Sequence, residues 1–235
     1  TISNMPHLKS ITGFNALESI NTLKIEKNEL LEDIYGFNQL FYMNPEIMGK
    51  ILITYNPLLK NIAFLRGLQK VKSSFYLHHN QLITLKGLET LNSVGASFSL
   101  SSNKLESLKE LLSLQKVDGM LGIAYNNLTT LDGLQNLQKL KTIKWNDVDR
   151  TIVINGNRHL LDISAIKNIL TKEKFIIYLD SDTQYSIKPE KKSVLYENSL
   201  VIHDTLNKSI VEVERFKNNS NYIKKYKILF GDKWQ

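Results

Sequence analysis

Residues 94–117 read VGASFSLSSNKLESLKELLSLQKV, and residues 117–140 read VDGMLGIAYNNLTTLDGLQNLQKL. Laid one above the other, the two stretches repeat a single pattern. An apolar–x–apolar triplet, Phe98-Ser99-Leu100 or Leu121-Gly122-Ile123, is followed by an asparagine, Asn103 or Asn126. Leucines come next, at Leu105 and Leu108 or at Leu128 and Leu131. The units continue with Leu114 and Val117, or with Gly133-Leu134. Self-similarity at this period decides the fold class before any local propensity is weighed.

The pattern extends in both directions. Asn28, Asn56, Asn80 and Asn157 join the two asparagines above, each with apolar residues five and three positions earlier: Leu23 and Ile25, Ile51 and Ile53, Phe75 and Leu77, Ile152 and Ile154. A leucine follows each (Leu30, Leu58, Leu82, Leu160), then a second Leu or Ile (Ile34, Ile62, Leu85, Ile163). Glycine–apolar pairs recur at Gly36-Phe37, Gly67-Leu68 and Gly87-Leu88. The units ending at Asn56 and Asn157 are longer, and their extra residues, 44–49 and 145–150, are expected as edge loops. Residues 1–27 fit more loosely, with Ile2 and Met5 at the strand and ladder positions, so the chain begins inside a coil. Ile177 and Leu179 place Asp182 at the ladder position of a seventh coil.

Strand side chains alternate, so an apolar–x–apolar triplet puts both apolar groups on one face. The asparagine ends the strand, and its amide can satisfy backbone groups of its own and neighbouring turns. Glycine permits a tight bend. No unit buries its apolar face alone, so stability comes from stacking. The pattern resembles the leucine-rich repeats of the receptor L-domain family and its bacterial relatives. That resemblance implies an α/β or mainly β solenoid: a right-handed coil of about seven turns with one parallel sheet. We expect it over residues 1–187. Residues 188–235 lose the pattern and are expected to form an α-containing cap: one or two strands over 193–205, then Leu206, Ile210, Val213 and Phe216, and Tyr222, Tyr226 and Leu229, at helical spacing.

Composition narrows function. The 235 residues are 42% hydrophobic and 23% charged, as in a folded domain. There is no cysteine, which excludes disulfides, thiolate metal sites and a cysteine nucleophile. No apolar run approaches the length of a membrane span. The net charge of +7 favours acidic partners, yet the lysines are scattered, densest at Lys224, Lys225 and Lys227. With no aromatic RNA-binding motif, zinc finger or basic stripe, nucleic acid is not an expected partner. Asp180-Ser181-Asp182 resembles the Asp-x-Asp motif of nucleotide-sugar glycosyltransferases, which implies a divalent cation held against a diphosphate. The ladder register of Asp182 and the lack of a phosphate-cradling glycine loop favour a structural role instead.

Between and after the apolar pairs, outward columns form. Tyr55, Tyr76, His78, Ser99, Ser101 and Tyr125 offer flat amphipathic rings and hydroxyls that suit a peptide or sugar face. His78 and His79 are adjacent, so in a strand they point to opposite sides and are not expected to share a ligand unless the chain turns sharply there. We therefore expect no catalytic residue, cofactor or metal. The expected function is non-catalytic recognition or scaffolding of a peptide, protein or glycan on the sheet face, at a bacterial surface or in secretion. The alternative is an accessory repeat domain of a larger, cytoplasmic or glycan-modifying enzyme.

Overall fold

Every apolar–x–apolar triplet becomes a short strand, because stacking the coils lets each backbone pair with the coil before and after it. The computed structural model describes residues 1–37, 39–43, 46–141, 143–145, 148–150, 152–154, 156–160, 162, 164–166, 169, 176–179, 201–204 and 209–211. They form a parallel β-solenoid of about six turns with little helix. Its long sheet orders ten strands: Ile2–Ser3, Leu23–Glu26, Ile51–Thr54, Phe75–Tyr76, Phe98–Ser99, Leu121–Gly122, Ile152–Val153, Ile176–Leu179, Val201–Asp204 and Ser209–Val211. Neighbours are in repeat register, Phe75 opposite Phe98 and Phe98 opposite Leu121.

Three features go beyond the sequence reading. First, there is a second parallel sheet, of five strands: Glu46–Ile47, Lys70–Val71, Ser93–Val94, Lys116–Val117 and Lys139–Leu140. Second, the inserted residues are not simple edge loops. Glu46–Ile47 is the terminal strand of this short sheet, and Ile143–Trp145 pairs with Val148–Arg150 as an antiparallel ribbon. Third, the long sheet continues past residue 187, through Val201–Asp204 and Ser209–Val211. Ile176–Leu179 pairs with Val201–Asp204 in parallel, and Ser209–Val211 returns antiparallel on the edge. That strand lies inside a stretch whose spacing suggested a helix; a sheet edge offers unpaired backbone groups that a returning strand can satisfy. The remaining cap positions, Asp180 and Asp182 lie outside the described residues.

The corner after each long-sheet strand sets the geometry. Leu77 points inward, so strict alternation would turn Asn80, three residues on, outward. The chain avoids this by entering the left-handed region at the residue before the ladder position: φ is 56° at Lys27, 57° at Tyr55, 58° at His79, 57° at Ser102 and 55° at Tyr125. Each such residue costs about 1–2 kcal/mol. The inward asparagines offset it, Asn28, Asn56 and Asn157 being 0% exposed and Asn80, Asn103 and Asn126 3–4%. The Asn103 amide donates to the carbonyls of Leu77 (2.8 Å) and Leu100 (2.9 Å), while its Oδ1 accepts from the Leu82 N–H (3.2 Å). Asn126 repeats this on Leu100, Ile123 and Leu105. Each rung thus joins its own coil to the preceding one.

Two kinds of turn leave the rungs, which corrects the leucine assignment. Leu30 and Leu58 are each 36% exposed, whereas Leu31 and Leu59 are 0% exposed. In these coils the Leu31 and Leu59 N–H groups close turns onto the Asn28 and Asn56 carbonyls, and the backbone N–H of Asn28 and Asn56 donates to the next asparagine. In the coils of Asn80, Asn103 and Asn126 the core leucine comes one residue sooner, and its own N–H donates to the next rung. Pro6 and Pro57 stand at the first corner of two of these longer turns, a position that Pro's fixed φ suits, and Glu29 and Arg158 at the same place in two others.

Replacing Asn103 or Asn126 with Ala leaves buried backbone groups unpaired and is expected to cost at least about 2 kcal/mol by denaturant unfolding. Parent-like midpoints for both variants would refute the rung assignment. Leu59→Ala is expected to cost about 2–5 kcal/mol and Leu58→Ala under about 1 kcal/mol; the reverse order would restore the original repeat alignment.

Candidate functional site

The left-handed corner has a consequence for the surface. It turns the residue before each rung outward, next to the outward residue already preceding it. Five coils thereby project Asn4, Lys27, Tyr55, His79 and Ser102 in one row. A second row, from just past the rung, contributes Pro6, Glu29, Pro57 and Gln81. Between the rows runs an open groove of about 810 Å³. Strands are spaced about 4.8 Å apart, so five coils span roughly 19 Å along the solenoid axis.

Aromatic rings occupy the middle of this groove and continue onto the sheet. Tyr55 stacks on His79, ring centres 4.5 Å apart and planes 20° apart. His78 meets Tyr55 edge-on at 5.6 Å and lies 5.8 Å from Tyr76. The sharp turn that the sequence reading made a condition for His78 and His79 to converge is present: φ at His79 is 58°, and the two Nδ1 atoms are 2.9 Å apart. The expectation that they point apart is therefore corrected. At that distance one imidazole must donate and the other accept, so both cannot carry an Nδ1 proton in this contact.

Burial is the largest influence on His78 and lowers its pKa; the like charge available to His79 lowers it further, and Glu26 opposes them. Glu26 itself is ion-paired with Lys24 at 2.8 Å and accepts from the Thr54 hydroxyl at 3.2 Å. His78 is thus held as a neutral, hydrogen-bonding ring in neutral solution.

The residues expected to form the site fall into three groups. Tyr55, Tyr76 and His78 are brought together, and of these Tyr55 lines the groove. Ser99 is buried, and the Ser101 hydroxyl accepts from the Ala124 N–H at 3.2 Å. The two serines crowd over Gly122, where an added β-carbon would lie 3.1 Å from the Ser101 hydroxyl and 3.2 Å from that of Ser99. Tyr125, 60% exposed, lies two coils beyond His79, its ring over Gly156, where any β-carbon would strike it. The sequence reading placed Lys27 and His79 at the strand edge without selecting them, and missed Glu29 and Gln81 as groove residues. Their signal was present in the positions just before and just after each rung, but only the left-handed corner makes both sets face one groove.

Among the described residues no group of three or more His, Cys, Asp or Glu side chains could hold a metal ion, and no helix is long and apolar enough to cross a membrane. No protein-family model, curated protein or solved structure matches the chain.

Because His78 binds a proton less readily when folded than when unfolded, the protein should lose stability as pH falls through the unfolded imidazole pKa near about 6.5. The loss should level off below the lowered folded-state value. Calorimetric melting of the parent and of His78→Gln between neutral and mildly acid pH checks this. The parent should lose more on acidification, and parallel profiles would contradict the assignment.

Proposed function

We propose that the protein is a non-catalytic recognition module whose ladder-corner groove receives an extended stretch of glycan or peptide. The observation that carries this reading is the exposed Tyr55–His79 stack at the centre of a groove crossing five coils. A flat ring pair gives apolar contact to a sugar face or a side chain at little entropic cost. Around it, Asn4, Gln81, Lys27 and Glu29 offer both donors and acceptors, a mixture that fixes orientation. Tyr76 and His78 extend the aromatic surface from the groove onto the sheet, and Tyr125 offers a further ring along the corner row of Tyr55 and His79. The groove's length of roughly 19 Å suits five or six extended peptide residues. A rigid stacked scaffold would present these groups without induced rearrangement, in keeping with the resemblance to the receptor L-domain repeats.

Glycan and peptide arrays probed with the intact chain, followed by titration of the best ligand, test the proposal. Tyr55→Asn and His79→Asn remove the rings while keeping a residue that tolerates the left-handed corner. Each is expected to weaken binding at least about tenfold. Absence of binding in both arrays, or affinity unchanged in both variants, would rule the groove out. Tyr125→Asn measures how far along the column the site reaches.

A further inference from the structure

The short sheet has an outer face of different chemistry. Its inward residues, Ile47, Val71, Val94, Val117 and Leu140, are buried. The residues just before them stand in register across the five strands: Glu46, Lys70, Ser93, Lys116 and Lys139. Just past them come Lys72, Gly95, Asp118 and Lys141, with exposed Met48 at the end of that row. Lysines scattered through the sequence are thereby gathered on one flat surface, five of them against two carboxylates. This overturns the expectation that no basic stripe exists.

The two acids do not neutralise the stripe. Glu46 is shared by Lys72 at 3.0 Å and Lys70 at 3.9 Å. Asp118 is shared by Lys116 and, at 3.8 Å, by Lys139. The hydrogen bond from Lys116 is the largest influence lowering the Asp118 pKa, with Lys139 and Lys141 adding to it. Lys70, Lys116 and Lys139 keep 41–45% of their side-chain surface exposed. Adjacent strands lie about 4.8 Å apart, which puts Lys116 and Lys139 within one Debye length, about 8 Å at physiological salt, and Lys70 only one strand further along. The lysines therefore act on a polyanion as a set.

A third row identifies the kind of polyanion. Before the lysines runs a line of amides, Gln69, Asn92, Gln115 and Gln138, whose backbones bond coil to coil at 2.8–2.9 Å. Amides bind hydroxyls through both a donor and an acceptor. The three rows contain no aromatic ring, so they lack the stacking platform that single-stranded nucleic acids use. With Met48 the one large apolar side chain exposed in them, they also lack the apolar face that inserts into a membrane. We propose that the outer face of the short sheet binds a linear anionic polysaccharide, its carboxylates or sulfates on the lysines and its hydroxyls on the amides. This site is separate from the corner groove and does not depend on it.

Immobilised heparin and polygalacturonate, with neutral dextran, single-stranded DNA and phosphatidylserine vesicles as comparators, test this on the intact chain. Binding to the two anionic polysaccharides is expected, and it should fall steeply with salt. Lys116→Gln with Lys139→Gln should weaken it about tenfold or more. Lys60→Gln with Lys104→Gln, an equal charge change away from the short sheet, should have under a third of that effect. Gln115→Ala with Gln138→Ala should weaken polysaccharide binding and leave any residual DNA binding unchanged. Melting curves confirm that the variants fold. The proposal is overturned if neither polysaccharide binds, if DNA or vesicles bind as tightly, if both lysine pairs weaken binding equally, or if the amide pair has no effect.

Discussion

The structure depends on a buried amide satisfying backbone groups at a corner. Where a long-sheet strand ends, carbonyls of two successive coils and a backbone N–H face the interior with no ladder partner. A side chain with both donor and acceptor can close all three, and asparagine is short enough to do so without disturbing the stack. The rungs at Asn103 and Asn126 each bind two carbonyls and one N–H in this way. At the start of the described stack the ladder ends on Met5, which has no amide; its backbone N–H donates to Asn28 Oδ1 at 3.2 Å and completes the rung.

Turning that amide inward forces a break in strand alternation, and the break shapes the surface. The left-handed residue before each rung swings its side chain outward beside its predecessor. His78 and His79, which an uninterrupted strand would separate, are thus brought Nδ1 to Nδ1, with Tyr55 stacked against the second ring. Since every described corner from Lys27 to Tyr125 is left-handed, the strain belongs to the coil and is not itself a mark of function. What differs from coil to coil is the side chain it displays: Lys27, Tyr55, His79, Ser102, Tyr125. Variation at a fixed position on a rigid frame is how a repeat scaffold acquires a particular surface.

The same stacking gives the two sheets unlike faces. On the long sheet, rings and hydroxyls pack over one another until Ser99 and Thr54 are buried. On the short sheet, lysines from three separate stretches of chain align because their buried neighbours, Val71, Val117 and Leu140, are in register. Register is dictated by the core, since a slip of one residue would turn the valines out and the lysines in.

The sequence by itself determined the solenoid, its coil boundaries and its ladder, because apolar residues five and three before each asparagine are a local pattern that only stacked coils can bury. It also exposed Tyr55, Tyr76 and His78 as neighbours in adjacent coils. It could not choose between Leu58 and Leu59 for the core, since that depends on which N–H donates to the next rung, a contact between residues far apart in the chain. Nor could it show the second sheet, whose two-residue strands carry too little periodicity to read. The groove, the convergence of the two histidines and the lysine stripe were decided by tertiary structure alone. The histidines meet through the left-handed corner; the groove and the stripe arise from cross-coil register, which brings together residues a full turn of chain apart.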